Sequence, residues 1–299
     1  MIDRRMGWWR WLAALCLFGM WAACGDDDGG MQPEDVTARS LPWMAVEDGR
    51  LVDEVGRQWH LRGINARIEG IFDVTFDDGR ERLEPLPTFH REDAEAMAAA
   101  GFNLLRLPIN WSGLEPEEGV FDDAYLVQVD EVIQYCAEFG IYVLVDFHQD
   151  AYSKEIGEDG APLWAILPAP TELNEGPLHD LDGLRTSAPV LAAFRSFYEN
   201  RDGIQDRFLP AWELVIRRYR SQPEVIGFEL QNEPVSFLVD PSEELLHDFY
   251  EKFSAEITSA LSPWTSSTSC STSATRSWSA SGSTARLCSR PQASGSGSR

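Results

Sequence analysis

Between residues 59 and 260 the chain alternates between two hydrophobic rhythms. "WHLRGINAR" (59–67) reads as a first strand and "FNLLRLPI" (102–109) as a second. "IYVLVDF" (141–147) is a continuous apolar run, as in a strand buried on both faces, and "VIGFELQ" (225–231) is a fourth strand. Between them the period lengthens to that of a helix. "REDAEAMAAAG" (91–101) predicts one, with Thr88 as its cap and Gly101 as its stop. In "DDAYLVQVDEVIQYCAEFG" (122–140), Tyr125, Leu126, Val129, Val132, Ile133 and Cys136 share one face of a second helix. Phe208, Trp212, Val215, Ile216 and Tyr219 mark a third, and residues 243–260 a fourth. From His148 to about Gln205 lies a long insertion rich in Gly, Pro and acids.

Strand–helix repetition implies a parallel α/β sheet. No glycine-rich phosphate loop follows the first strand, since "GINARIEG" lacks the fingerprint. That argues against a dinucleotide-binding fold and leaves the (β/α)8 barrel, whose catalytic groups lie just past the C-terminal ends of the strands. Polar residues collect there: Asn65, Arg106, Asp146 with His148, and Asn232 with Glu233. Glu233 stands where an apolar strand stops. Burying a carboxylate costs several kcal/mol unless it is paired, protonated or used, so its position asks for chemistry.

The pattern breaks at residue 262. After it come four arginines but no Asp, Glu or Lys, and little apolar periodicity. Such a break fits a shifted reading frame or an appended low-complexity tail. Four further strand–helix units of about 30 residues each do not fit in what remains. The expected architecture is therefore about the first four βα units of a (β/α)8 barrel, residues 46–261, followed by a disordered or frameshifted tail, 262–299. The exposed edges of such a half barrel predict self-association.

At the other end, Arg4, Arg5 and Arg10 precede a short apolar run, the layout of a secretory signal. The run from Trp11 to Ala23 is shorter than the roughly 20 residues that span a bilayer. "AACGDDD" resembles a lipoprotein signal, with Cys24 as the lipidated residue and Trp21 a departure from the usual Leu. An ordinary signal peptide is the alternative. Either reading predicts export, with residues 1–24 as signal, 25–45 as tether, and membrane contact through a lipid anchor alone. The five cysteines form no disulfide framework.

The chain of 299 residues is 43% hydrophobic, enough for a core, and carries a formal charge of −24. Its 25 basic residues against 49 acids disfavour nucleic acid as a partner. Neutral or cationic ligands fit better.

"GFNLLRLPINWSGLEPEEGVFDDAYL", "YVLVDFHQDAYSKEIGEDGAPLWA" and "GFELQNEP" resemble, in order and spacing, blocks of glycoside hydrolase family 5, in the branch containing the endoglycoceramidases. The resemblance runs from about residue 59 to 260. It implies a (β/α)8 barrel and a retaining glycosidase with two glutamates, an acid/base after strand 4 and a nucleophile after strand 7. Glu233 matches the acid/base, and a nearly apolar strand end suits a general acid. Asn232 matches the residue that hydrogen-bonds the sugar 2-hydroxyl, Arg106 the arginine that holds the nucleophile ionised, and His148 the histidine of the sugar subsite. Plainer readings are an internal ion pair for Arg106 and a satisfied mouth histidine for His148. Asp146, Gln149 and Asp150 surround that histidine and suit sugar hydroxyls. Trp111 and Trp164 are candidates to stack on a pyranose, or are packing residues. His148, Asp150 and His179 match no metal-ligand spacing, so neither metal nor cofactor is expected.

Two departures qualify the match. Endoglycoceramidases usually carry a lysine soon after the first-strand Asn, where this chain has "NARIEG". No glutamate follows Glu256 to act as nucleophile. The expected function is hydrolysis of O-glycosidic, β-glucosidic bonds in oligosaccharides or glycolipids, with this chain itself inactive. The alternative is a surface-anchored carbohydrate-binding or structural lipoprotein without turnover.

Overall fold

The computed structural model describes residues 41–234, 242–261 and 284–285. An antiparallel hairpin opens it, β1 (Met44–Glu47) and β2 (Arg50–Asp53), with Met44 opposite Asp53. It straddles the expected boundary at residue 46. Four parallel strands follow in chain order: β3 (Gly63–Asn65), β4 (Leu104–Ile109), β5 (Tyr142–Phe147) and β6 (Val225–Glu229). Helices α1 (Arg91–Ala99), α2 (Trp111–Leu114) and α3 (Asp123–Glu138) lie between the first three. Between β5 and β6 come α4 (Leu181–Arg185), α5 (Ala188–Tyr198) and α6 (Ile204–Tyr219), and α7 (Ser242–Leu261) follows β6. The short segment β7 (Thr284–Ala285) pairs antiparallel with Phe228 and Glu229 of β6. The outer edge of β6, expected to be bare, is therefore covered at those two positions.

The strands form within the predicted apolar runs and each is shorter than its run, the first and fourth for identifiable reasons. Trp59 is drawn back to the hairpin, its N–H donating to the Leu51 carbonyl at 2.9 Å, so parallel pairing starts only at Gly63. A Cβ there would stand 2.1 Å from the Leu104 carbonyl oxygen, so the close approach requires glycine. β6 ends at Glu229, two residues early, because the chain turns to donate the Asn232 N–H to Phe147 and Glu233 takes a left-handed φ of 34°.

Helix starts follow side-chain chemistry. Asp122 caps α3, one carboxylate oxygen accepting the N–H groups of Ala124 (2.8 Å) and Tyr125 (3.3 Å). The cap of α1 is His90 rather than Thr88, because Asp93 reaches back to accept the His90 N–H at 2.8 Å. Within the insertion, α5 carries Val190, Ala193, Phe194, Phe197 and Tyr198 at helical spacing, all buried, a pattern hidden by the flanking Gly, Pro and acids.

The two faces of the sheet differ. Leu105, Leu107, Val143 and Val145 are fully buried on the helix side. There Leu126 and Val129 of α3 and Trp212 and Val215 of α6 complete a dry core, and Phe208 meets Phe197 and Phe253 at 5.8 and 5.6 Å. On the opposite face Leu104, Arg106, Leu144 and Glu229 are half-buried. β5 is buried on both faces except at Leu144, as its continuous apolar run had implied, Tyr142 and Asp146 being fully buried on this side. Ion pairs hold the loop after β3 against the insertion: Arg67 with Glu158, Arg80 with Glu155, and Lys154 with Asp73, each at 2.7 Å. Among the described residues no helix is long and apolar enough to cross a membrane. Leu107→Ala, which would leave a cavity in the dry layer, is expected to cost about 2–5 kcal/mol in chemical denaturation.

Candidate active site

Parallel alignment brings the C-terminal ends of β4, β5 and β6 to one rim, where Asp146 lies beside Pro108 and Glu229 in register. Arg106, two residues earlier on β4, spans all three strands. Its Nε and Nη2 donate to the two carboxylate oxygens of Glu229 at 2.8 and 2.9 Å, a bidentate pair. Nη2 also donates to Asn232 Oδ1 at 3.0 Å and lies 2.9 Å from Asp146 Oδ2.

Asp146 is fully buried, and its Oδ2 also faces His148 Nδ1 at 2.6 Å. Burial pushes Asp146 above the usual carboxylate range, while His148 and Arg106 pull it back. The other ring nitrogen of His148 lies 3.6 Å from Asp150, whose second oxygen accepts from Arg185 on α4 at 2.7 Å. Burial alone would depress the His148 imidazolium, but its bonds to Asp146 and Asp150 outweigh that and push it up to about 10. Asp150 shows the converse: burial would raise it, yet His148 and Arg185 hold it below its ordinary value.

The predicted residues divide by what their side chains already do. Arg106, Asp146, His148, Asp150 and Asn232 form one connected network. Gln149 belongs to the framework. Its Nε2 donates to the carbonyls of Asn232 (2.7 Å) and Glu233 (3.1 Å), its Oε1 accepts from Tyr152, and it is buried, so the amide expected to bind sugar instead clamps the loop after β6. Asn232 Nδ2 donates to the Gln149 carbonyl at 3.2 Å, closing the clamp from the other side.

Trp111, expected to offer a stacking face, is 4% exposed. Its ring packs on Phe208 at 4.5 Å and Trp164 at 5.1 Å, and its indole N–H donates to Glu115 at 2.7 Å. It is a packing residue. Trp164 is half-buried, with the Arg207 guanidinium 5.8 Å from its ring. A small cavity lies between Trp111, Phe147, His148, Tyr152 and Gln231. Cys24 lies outside the described residues.

Glu233 is exposed rather than enclosed by an apolar strand end, since β6 stops four residues before it. It is nonetheless part of the rim: its charge acts on both Arg106 and Arg185, and Gln149 holds its carbonyl.

Four site residues escaped sequence reading. Glu229 was legible in principle, as the acid two strand positions beyond Gly227 in "GFELQ". Asn110, which donates to the His148 carbonyl and to Asp159, directly follows β4. Asp159 and Arg185 arrive through the insertion, and their spacing gave no signal. Asp159, not the exposed His179, joins His148 and Asp150, with ligand-type atoms of all three within 4.8 Å of one another.

Residues 85–260 match the family model Cellulase (glycosyl hydrolase family 5). The chain belongs to glycosyl hydrolase family 5. Its four parallel strands are accordingly part of a (β/α)8 barrel. Endoglycoceramidase I of Rhodococcus hoagii is 32% identical over 197 residues, 66% of this chain and 38% of the relative. A crystal structure of an endogalactoceramidase superposes with a TM-score of 0.64 at 35% identity, over 75% of this chain and 51% of that one. Endo-glycoceramidase II from Rhodococcus sp., solved as a lactosyl-enzyme intermediate, gives 0.57 at 27% identity, over 70% and 49%. The chain spans about two-fifths of the length of its curated relatives and about half of the solved ones.

The charge on His148 has a consequence for stability. Its folded pKa of about 10 lies above an unfolded value of about 6.5. The stabilisation is therefore complete below about pH 6.5 and is lost as the pH rises through about 10. Thermal midpoints measured from pH 6 to 10 are expected to fall with rising pH, and less steeply in His148→Gln.

Proposed function

We propose that this chain carries the acid/base and sugar-binding half of a retaining glycosidase for β-linked glucosides, in oligosaccharides or glycolipids. One observation supports this above the others. In a family 5 chain, Glu233 stands on the strand-end rim next to Asn232, with its backbone held by Gln149 and its charge facing Arg106 and Arg185.

In the proposed reaction Glu233 protonates the departing glycosidic oxygen and later deprotonates water. Asn232, with Oδ1 engaged by Arg106, keeps one Nδ2 proton for the sugar 2-hydroxyl. His148 and Asp150 hold the remaining hydroxyls. The names of the endoglycoceramidase and endogalactoceramidase relatives favour a glycolipid, and the lactosyl-enzyme intermediate of one favours a covalent route. "NARIEG", without a lysine, keeps an oligosaccharide in view.

A retaining mechanism needs a second carboxyl about 5–5.5 Å from the first. The family resemblance assigns it to the seventh strand, and no acid follows Glu256 in this sequence. We therefore read this chain as one that binds sugar without turning it over. The same observation favours the second reading, a carbohydrate-binding protein without turnover, for which the "AACGDDD" stretch supports export and an anchor through Cys24. The half-open sheet face supports self-association as well.

The full chain is expected to release no chromophore from an aryl β-glucoside. With the downstream frame restored from residue 262, Glu233→Gln is expected to lower kcat by about 10²–10⁴-fold on alkyl glucosides. With dinitrophenyl glucosides, whose phenolate leaves without a proton, kcat/KM should be nearly unaffected, although kcat falls because Glu233 no longer activates the water of the second step. Equal losses of kcat/KM on both substrates, or none, would refute the acid/base role. Sedimentation velocity on residues 31–299 checks association, and a monodisperse monomer would contradict it.

A further inference from the structure

The proposed reaction gives no role to Asp159, although its side chain is completely buried. Asp159 lies in the loop after β5, where the N–H groups of Glu158 and Asp159 both donate to the Asp150 carbonyl at 3.1 Å. Gly160, with φ of 125°, makes this fold-back possible, since a Cβ there would stand 2.5 Å from the Tyr152 carbonyl oxygen. The loop thus delivers Asp159 to the His148 ring, with its carboxylate within 4.8 Å of a ring nitrogen and of Asp150.

The charged and titratable groups around this pair come from every neighbouring element. Asp146 comes from β5, Asp150 and Glu158 from the same loop, Arg67 from the loop after β3, Arg185 from α4 and Tyr125 from α3. Asn110, after β4, donates Nδ2–H to Asp159 Oδ2 at 2.6 Å, and Phe72 packs on the imidazole at 5.4 Å.

Hydrogen-bond geometry fixes where the proton resides. Both ring nitrogens of His148 face carboxylates, Asp146 at 2.6 Å and Asp150 at 3.6 Å. A neutral ring would turn a lone pair toward one of those anions, whereas an imidazolium donates to Asp146 and faces Asp150 with its second N–H as an ion pair. A proton on Asp159 would relieve the cost of burying its charge but would find no acceptor: Oδ2 already accepts from Asn110, and Oδ1 has no hydrogen-bond partner among the described residues. Burial, with the charges of Asp150 and Glu158, holds Asp159 well above the ordinary carboxylate range, and the His148 charge and the Asn110 bond oppose that rise.

We propose that Asp159 is a positioning residue: an enclosed carboxylate beside the His148 ring that keeps the imidazole doubly protonated at neutral pH, with Nε2–H held as a permanent donor at the strand-end rim. For its consequence, a fixed donor to a sugar hydroxyl, this deepens the glycosidase reading and rests on it. Its test does not.

The test follows the ring nitrogens of His148 by NMR against pH in the full chain labelled with nitrogen-15 histidine. Asp159→Asn keeps size and an acceptor for Asn110 while removing the charge. It is expected to lower the His148 midpoint by about one pH unit or more, with the other four histidines unmoved. An unmoved His148 midpoint would overturn the proposal. Should that variant not fold, the carbon-13 shift of the Asp159 carboxyl in the unaltered chain decides: ionised at pH 7 is expected, and protonated overturns it. A lowered midpoint would uphold Asp159's role even if Glu233→Gln in the frame-restored chain spared alkyl glucosides and the glycosidase reading failed.

Discussion

The guanidinium of Arg106 ties the ends of three strands to one point. It satisfies both oxygens of Glu229 on β6, meets Asp146 on β5 and orients the amide of Asn232 beyond β6. A half-buried arginine among three acceptors is expensive to desolvate and is stable only while the partners remain. Removing one partner of a buried pair costs about 3–5 kcal/mol, largely because the other charge is left uncompensated. The rim is therefore held by mutual constraint: Asp146 fixes His148, His148 faces Asp150, and Asp150 holds Arg185 on the insertion.

This arrangement explains the unequal faces of the sheet. The helix side can be dry because its side chains are aliphatic and aromatic and its backbone bonds run within the ladder. The opposite side must carry charge wherever a strand end reaches the rim, and those charges stay half-hydrated or paired. Leu144 lies on that side, half-buried. Stability and chemistry are thereby separated across a single layer of backbone.

Much of this was legible in the sequence, for reasons that differ by element. β4, β5, α3 and α6 declare themselves because each must bury a full apolar face, and periodicity records that demand. Rim residues such as Arg106, Asp146, His148 and Asn232 were visible as polar interruptions at strand ends. The function of Gln149 was not visible, since "HQD" gives no indication that one member clamps a backbone 83 residues away. Nor did the aromatic content of "NWSG" distinguish a sugar platform from Trp111's enclosure by Phe208 and Trp164. α5 was obscured by its surroundings, because composition averaged over the insertion dilutes five buried positions with Gly, Pro and acids.

Glu233 bears on how such a site gains its chemical character. A carboxylate one residue past the anchored Asn232 has a fixed backbone, through Gln149, but an exposed side chain. Position and environment are thus supplied separately. The four strands fix where the carboxylate stands, through hydrogen bonds that persist whatever covers it. The low-dielectric wall that would make it an effective proton donor has to come from whatever packs over the open face, whether bound sugar or further protein. Residues in the same network that are already enclosed, Asp146 and His148, need no such completion, and in them the shifted equilibria are present now.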